Sequence, residues 1–333
     1  MKKILALLLA LWIPAAVLSG CAPQDDSAAS NKLNIVTTIF PAYDWVREIL
    51  GAETDRAEIT MLLDSGVDLH SYQPTVVDIV KISDCDLFLY VGGESDGWVD
   101  DALKNAPNKD RKVIRLLDVL GDSAKAEETV EGMQEEEHDH EEEEHGHEEE
   151  AEYDEHIWLS LKNAQKLVAA ISEALQETDP ARKDTYAANA AAYAEKLSAL
   201  DGEYRAAVDS GKYKTLLFGD RFPFRYLADD YGLDYYAAFP GCSAETEASF
   251  ETVSFLAGKM DALGLPCVLT IEGTQHKIAE TIVQNTAQKN QQVLTMDSMQ
   301  AVTANDAASG VSYLSIMEKN LSVLKKALGQ EAE

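Results

Sequence analysis

Hydrophobic and polar residues follow two alternating periods along the first third of the chain. Short β-branched or apolar runs have the pattern of strands buried in a sheet. Segments whose apolar residues recur three and four positions apart lie between them and predict helices. The predicted strands are LNIVTTI, AEITML, DLFLYVG and VIRLL, and the predicted helices are YDWVREIL and PTVVDIVKIS, which opens at Pro74. Strands separated by helices predict a parallel sheet with helices on both faces.

The last third of the chain repeats this pattern. Its predicted strands are TLLFG, DYYAAF, PCVLTIEG and QQVLTM, and its predicted helices are RYLADDYG, SFETVSFLAGKMDALG and HKIAETIVQNTAQKN. The fold class is therefore α/β, with two lobes that each contain a mainly parallel sheet flanked by helices. A cleft between such lobes, at the carboxyl ends of the strands, is a natural ligand site.

One long helix is predicted between the two halves, over residues 179–212. Pro180 stands at its start and Gly211 just beyond its end. At 1.5 Å per residue it would run roughly 45 Å, which is enough to join two domains as a rigid connector. The predicted domains are thus an N-terminal lobe at 33–178 and a C-terminal lobe at 213–330.

The charge of the chain is strongly negative. Among 333 residues there are 59 acidic and 28 basic side chains, a net charge of -31. Nucleic acid is excluded as a partner, because binding it requires clustered Lys and Arg. Cations are favoured instead.

Much of this charge lies in a predicted disordered acidic loop at 123–153, which has too few apolar residues to form a core. The loop contains four histidines, His138, His140, His145 and His147. They are predicted to form an auxiliary metal loop whose affinity is weak, since ordering a flexible chain costs entropy. The alternative is a solvated acidic loop without a role.

The first 20 residues have the features of a signal peptide. Lys2 and Lys3 precede an apolar run, and LSGC follows it. This arrangement resembles a bacterial lipoprotein signal, which implies cleavage before Cys21, lipidation of Cys21 and a polar tether over 21–32. The mature protein is then expected on the outer face of the bacterial cytoplasmic membrane. An ordinary secretory peptide is the alternative.

Three further cysteines follow Cys21. Cys85 and Cys267 lie in apolar, strand-like runs, so both are predicted to be core residues; the third is Cys242. An odd number of cysteines leaves at least one thiol unpaired. Because no CxxC motif is present, a metal site built on thiolates is not expected.

Four residues near strand ends are candidate metal ligands. His70 follows a strand and a Gly-containing turn, and His156 lies where ordered chain resumes after the acidic loop. His276 and Asp297 each follow a strand of the second half. Two or three imidazoles with one carboxylate suit a divalent metal such as Zn²⁺. The competing interpretations are surface histidines and, for Asp297, a helix N-cap.

Four segments taken together resemble the metal-binding solute receptors, of cluster A-I type, of bacterial zinc and manganese ABC importers. They are GVDLHSYQPTVVD, DEHIWLSLKNAQ, DPARKDTYAANAAAYAEKLSALD and MDSM, and the resemblance extends from about Leu33 to the C-terminus. It implies two α/β lobes bridged by a rigid helix, with the metal site in the interlobe cleft. It also implies that His70, His156 and Asp297 are ligands of the transported ion, and that an ABC permease is the partner.

The sequence departs from this family at Arg221, which stands where a third histidine, or a glutamate, usually lies. An Arg keeps its charge and cannot coordinate a cation. His276 is predicted to supply the missing donor, with Glu272 and Asp220 as alternatives. Arg221 itself is expected to pair with Asp220, Glu272 or Asp297. A shell of three nitrogens and one carboxylate favours Zn²⁺, whereas two carboxylates would admit Mn²⁺ or iron.

The favoured function is therefore a monomeric zinc receptor of an importer, with a manganese or iron receptor as the runner-up. A secreted zinc hydrolase is a hypothesis of a different class, but the chain lacks an HExxH motif. A metal-storage or adhesion lipoprotein that uses the acidic loop itself is a third.

Overall fold

A computed structural model describes residues 32–104, 106–134, 152–243, 247–273 and 276–330. The signal segment with Cys21 and the tract with His138, His140, His145 and His147 lie outside these ranges. Within the described ranges, no helix combines the length and the hydropathy needed to cross a bilayer.

The first lobe is built on a parallel sheet of four strands in the order β2-β1-β3-β4. Each strand overlaps one of the strand runs predicted from the sequence. The two inner strands of the sheet, β1 and β3, are mostly buried. The strands are β1 (Leu33–Thr37), β2 (Ala57–Met61), β3 (Leu87–Tyr90) and β4 (Lys112–Arg115). The helices are α1 (Phe40–Leu50), α2 (Val76–Asp84), α3 (Val99–Lys104), α4 (Leu116–Leu120) and α5 (Leu161–Thr178).

The predicted connector is the helix α6 (Lys183–Ser210), preceded by a 3-10 turn at Pro180–Arg182. Its 28 residues extend about 42 Å. The Asp179 carboxylate accepts hydrogen bonds from Arg182 Nη1 and Tyr186 Oη, both over 2.9 Å, and so holds the start of the helix. The prediction of a long helix between two α/β lobes is confirmed.

The second lobe repeats the parallel arrangement in the order β6-β5-β7-β8. The strands are β5 (Thr215–Phe222), β6 (Asp234–Pro240), β7 (Cys267–Thr270) and β8 (Gln292–Thr295). The helices are α7 (Arg225–Tyr231), α8 (Phe250–Leu263), α9 (Lys277–Asn285), α10 (Ala304–Ala308) and α11 (Tyr313–Ala327). The last helix returns to the first lobe, where Asp44 Oδ2 accepts the Tyr313 N–H over 2.9 Å.

Several element boundaries differ from the sequence prediction, for example at α2 and β4. Helix α2 begins at Val76 rather than at Pro74, because Thr75 and Asp78 form a capping box that fixes its first turn. The predicted strand VIRLL ends at Arg115, and its two leucines open α4, where both are buried.

Residues 124–134, predicted to belong to the disordered loop 123–153, lie along the second lobe instead. Lys125 N–H donates to Tyr226 Oη over 2.9 Å, and Gln134 N–H donates to the Ala238 carbonyl over 2.9 Å. Glu127 N–H donates to the Glu152 carbonyl over 2.7 Å, so the chain before the undescribed stretch 135–151 pairs with the chain after it. Hydrogen bonding of the backbone, which composition does not reveal, positions this segment.

Candidate metal centre

His70 lies at the rim of the first sheet, between β2 and α2, in a short 3-10 turn. Asp68 caps the turn, and its Oδ1 accepts the His70 N–H over 3.0 Å. The Nδ1 atom of the imidazole lies 2.9 Å from Ser95 Oγ and 3.4 Å from Glu155 Oε2. Both contacts are on Nδ1, so the ring is oriented with Nε2 pointing to the opposite side.

His156 is completely buried where the chain re-enters the first lobe. Asp154 Oδ1 accepts its backbone N–H over 2.8 Å and lies 3.0 Å from its Nδ1. The Trp158 ring packs 5.3 Å away, centroid to centroid. The imidazole is thus held through Nδ1 by a carboxylate, the arrangement that commonly orients histidine ligands in metal sites.

The two imidazoles meet through their Nε2 atoms, which lie 3.3 Å apart. An ionised carboxylate only accepts hydrogen bonds, so Asp154 stabilises the tautomer of His156 with its proton on Nδ1. Glu155 and Ser95 favour the same tautomer of His70. In these tautomers, the Nε2 lone pairs of both rings face each other, an arrangement that a cation between them would stabilise.

Burial and the neighbouring His156 lower the pKa of His70 from 6.5 to about 3. At neutral pH the His70 ring is therefore uncharged, which is the form that binds metal. With the ring proton on Nδ1, the Nε2 atom of His70 carries no proton that must leave before an ion binds.

A third ligand-type side chain, Cys242, joins the two histidines. One ligand atom from each of His70, His156 and Cys242 lies within 4.8 Å of the other two. Among the described residues, no other group of three His, Cys, Asp or Glu side chains meets this criterion. The sequence prediction that a thiolate site is not expected therefore misses the side chain that the fold brings to the two histidines.

Two backbone features hold Cys242 at this place. Its N–H donates to Glu127 Oε1 over 2.8 Å. A Cβ atom at the preceding Gly241 would lie 2.9 Å from the Phe222 carbonyl oxygen and 3.2 Å from His156 Nδ1. The loop therefore passes His156 at a distance that only glycine allows.

The Cys242 side chain is a free thiol. Burial raises its pKa, and the Asp154 and Glu127 carboxylates add to this effect. In the absence of a cation, the thiol is protonated at neutral pH.

Arg221 pairs across the lobes with Asp68, not with Asp220, Glu272 or Asp297 as predicted. Its Nη2 donates to Asp68 Oδ2 over 2.6 Å, and its Nη1 donates to the Ser243 carbonyl over 3.3 Å. Burial alone would raise the pKa of Asp68, but the guanidinium outweighs burial and lowers it. Only the backbone N–H of Arg221 contacts Asp220.

The predicted replacement donor His276 lies at the N-terminus of α9 and lines a cavity of about 540 Å³. His70, Arg221 and the alternative donors Asp220 and Glu272 line the same cavity. Among described atoms, His276 Nδ1 is buried and has no hydrogen-bond partner. The fold thus brings His276 to the same cavity as His70, but not into the group of His70, His156 and Cys242.

Asp297 lies in the turn that follows β8, and it belongs neither to the group of His70, His156 and Cys242 nor to the lining of the cavity. Its Oδ1 accepts the Met299 N–H over 2.8 Å, and Asn320 bonds to both its backbone N–H and its carbonyl. Burial and the nearby Glu272 raise the pKa of Asp297 to about 6. Trp158 Nε1 donates to the Ser298 carbonyl over 2.9 Å, which links this turn to the segment of His156.

Glu272 is occupied by backbone and hydroxyl donors. Its Oε2 accepts the Ser298 N–H over 2.6 Å, and its Oε1 accepts the Ser298 hydroxyl over 2.8 Å and the Gln300 N–H over 2.9 Å. A carboxylate with so many donors positions the turn after β8 and is less free to bind an ion.

The structure adds Asp68, Ser95, Glu127 and Cys242 to the residues predicted from the sequence. One signal for Cys242 was present, because it is the one cysteine of the three after the signal segment that lies outside an apolar run. No local pattern marks Glu127, which lies among many other acids.

Comparison with known proteins gives a consistent match. The family model described as zinc-uptake complex component A, periplasmic (ZnuA), matches residues 35–327. The zinc-binding lipoprotein AdcA of Streptococcus pneumoniae is 34% identical over 331 residues, which cover 99% of this chain and 62% of that protein. The high-affinity zinc uptake system protein ZnuA of Bacillus subtilis is 30% identical over 298 residues, covering 90% of this chain and 88% of that protein.

Solved structures agree with the fold. The Zn(II)-bound ZnuA-like domain of Streptococcus pneumoniae AdcA superposes with a TM-score of 0.68 at 29% identity, over 90% of this chain and 100% of that domain. The chain spans about three fifths of the length of the AdcA proteins that it matches.

Proposed function

Because the chain belongs to the family of zinc-uptake complex component A, we propose that it is an extracytoplasmic receptor that captures Zn²⁺. Delivery of the ion to the permease of an ABC importer is part of the same proposal. The ion is cargo, so the protein needs to bind and release it and needs no catalytic group. The names of its relatives, which are zinc-binding and zinc-uptake proteins, support this proposal.

The observation that carries the proposal is the contact between His70 and His156. Their Nε2 atoms lie 3.3 Å apart, and carboxylates lie against both Nδ1 atoms. Two oriented imidazoles of this kind, that of His156 buried and that of His70 partly buried, are poor partners for each other and good partners for a divalent ion. Both residues are therefore proposed as ligands.

Asp297 and His276 are proposed as further ligands, and a different observation supports each. Asp297 is the carboxylate that family resemblance assigns, and the hydrogen bond from Trp158 to Ser298 ties its turn to the His156 segment. His276 shares a cavity with His70 and has an unpartnered ring nitrogen among the described atoms. His276→Ala and Asp297→Ala test the two assignments one at a time, because a residue whose loss leaves zinc affinity unchanged is not a ligand.

The test is a titration of the full chain with Zn²⁺ in the presence of a competing chelator. One tightly bound ion is expected in the wild type, and no tight ion in the double variant His70→Ala/His156→Ala. Parallel titration with Mn²⁺ is expected to show much weaker binding, because imidazoles favour zinc. Tight binding that persists in the double variant would overturn the assignment of both histidines.

A lipid anchor and a role in cation binding for the acidic tract are both proposed from the sequence. Lipidation of Cys21 would hold the receptor on the outer face of the membrane. Metabolic labelling with a fatty acid tests this proposal, and the label should be absent from Cys21→Ser.

The acidic tract contains four histidines that are proposed to bind cations weakly: His138, His140, His145 and His147. Deleting residues 135–150 should remove weakly bound ions and retain the tight one, whereas loss of the tight ion would assign the main site to the tract.

A further inference from the structure

We propose that Cys242 binds the same ion as His70 and His156 and supplies the donor that Arg221 cannot. This inference rests on the proposed function, because it names a further ligand of that site. It goes beyond the family resemblance, which places no cysteine in the shell. The geometric basis is the mutual distance of at most 4.8 Å between one ligand atom of each of the three side chains.

The three side chains come from three separate loops, so their convergence does not follow from chain proximity. His70 follows β2, His156 follows the acidic stretch, and Cys242 follows β6. His156 is wholly buried, and its Nε2 faces the Nε2 of His70. Two imidazoles that face each other, one buried and one partly buried, independently mark the place as a cation site, and Cys242 is the thiol beside it.

Arg221 explains why a further donor is needed. The strand β5 brings it to the rim of the second sheet, where its guanidinium bonds to Asp68 and to the Ser243 carbonyl. A guanidinium has five donors and no lone pair for a metal. Zinc sites with protein ligands are mostly four-coordinate, so His70, His156 and Asp297 leave one position for either His276 or Cys242. Of these two, only Cys242 belongs to the group that contains both histidines. Cys242, which directly precedes Ser243, lies beside the two imidazoles.

The loop that carries Cys242 is held in place. Glu127, from the segment along the second lobe, accepts the Cys242 N–H, and Gly241 allows the backbone to pass close to His156. Cys267, by contrast, is the first residue of β7 and is buried in the core of the second lobe.

Coordination by Cys242 requires the loss of its thiol proton. The S–H bond breaks, the sulfur electron pair forms the bond to Zn²⁺, and the proton leaves to solvent. Two imidazoles and a thiolate are donors that Zn²⁺ prefers, whereas Mn²⁺ prefers carboxylate, carbonyl and water oxygens. The cysteine thus adds selectivity for zinc to the site.

The experiment uses Co²⁺ as a spectroscopic substitute for Zn²⁺ in the full chain. A thiolate bound to Co²⁺ gives a charge-transfer band in the near ultraviolet that imidazole and carboxylate ligands do not give. The band is expected in the wild type and in the matched control Cys267→Ala, and it is expected to disappear in Cys242→Ser. The zinc affinity of Cys242→Ser should fall at least about tenfold, as it does when groups around a metal site are removed.

The outcomes separate this inference from the proposed function. If the wild type binds one ion through His70 and His156 without the band, Cys242 is not a ligand and the receptor function stands. If the wild type binds no ion, both proposals are overturned.

A measurement on the wild type alone guards against misfolding of the variant. Zn²⁺ should slow the alkylation of Cys242 by iodoacetamide, followed by peptide mass spectrometry. An unchanged alkylation rate at saturating Zn²⁺ would overturn the inference.

Discussion

Arg221 of the second lobe forms an ion pair with Asp68 of the first lobe. Asp68 lies two residues before His70 in the chain. Arg221 Nη2 donates to Asp68 Oδ2 over 2.6 Å, while the other oxygen of Asp68 accepts the His70 N–H. One carboxylate therefore holds both the turn of His70 and the guanidinium of Arg221. The side chains are 17% and 24% exposed, so the pair is largely shielded from solvent.

Breaking this pair should destabilise the protein. Arg221→Gln leaves the partly exposed Asp68 carboxylate without its cation, and we expect a loss of about 1–3 kcal/mol in the free energy of unfolding. Urea unfolding of the wild type, Arg221→Gln, Asp68→Asn and the double variant measures the coupling between the two residues. A coupling near zero would show that the contact contributes nothing to stability. Arg221→Gln should still bind one zinc ion, because the guanidinium donates no electron pair.

Glu127 should control zinc affinity through the position of Cys242. Glu127→Ala removes the acceptor of the Cys242 N–H, and we expect zinc affinity to fall about tenfold or more. Glu127→Gln keeps a carbonyl oxygen at this place and should stay within about threefold of the wild type. Competition titrations with a zinc chelator measure both variants. Equal losses in the two would assign the effect to charge and contradict positioning.

Gly241 should be sensitive to a single added methyl group. Gly241→Ala places a Cβ 2.9 Å from the Phe222 carbonyl oxygen, so the loop must shift away from His156. Strain of this kind costs about 1–3 kcal/mol, and zinc affinity should fall about tenfold. Gly202→Ala is the matched control, since nothing lies within 4 Å of its Cβ in α6. Equal zinc affinities for the two variants would contradict the close approach.

Asp44 should make stability depend on pH. Burial raises its pKa to about 6, although the Tyr313 N–H partly offsets the effect. The folded protein therefore holds this proton more tightly than the unfolded chain, and stability falls as pH rises from about 4 to about 6. At pH 7 the buried charge costs about 3 kcal/mol, from two pKa units at 1.36 kcal/mol each.

The matched variant for this prediction is Asp44→Asn, which cannot titrate. Its free energy of unfolding minus that of the wild type should rise by about 3 kcal/mol between pH 4 and pH 7, because only the wild type loses stability through this group. Other carboxyls titrate in both proteins, so they cancel in the difference. A difference that stays constant with pH would show that the Asp44 pKa is ordinary.

The sequence predicts most of the fold because each element carries its own local pattern. The apolar runs at β3 and β7, and the 3.6-residue period of α5, can be recognised without knowledge of their neighbours. Boundaries are less certain, as at Val76, where a capping box rather than Pro74 begins the helix. Composition misplaces residues 124–134, since backbone hydrogen bonds to the second lobe outweigh the lack of apolar side chains.

The sequence by itself determined two parallel α/β lobes joined by one long helix, and it marked His70 and His156 as residues at strand and loop ends. Only the tertiary structure brought Cys242 to both histidines and Arg221 to Asp68. These partners lie far apart in the chain, and no periodicity relates them. Their contacts depend on how loops from two separately folded sheets converge, which local patterns of hydrophobicity do not encode.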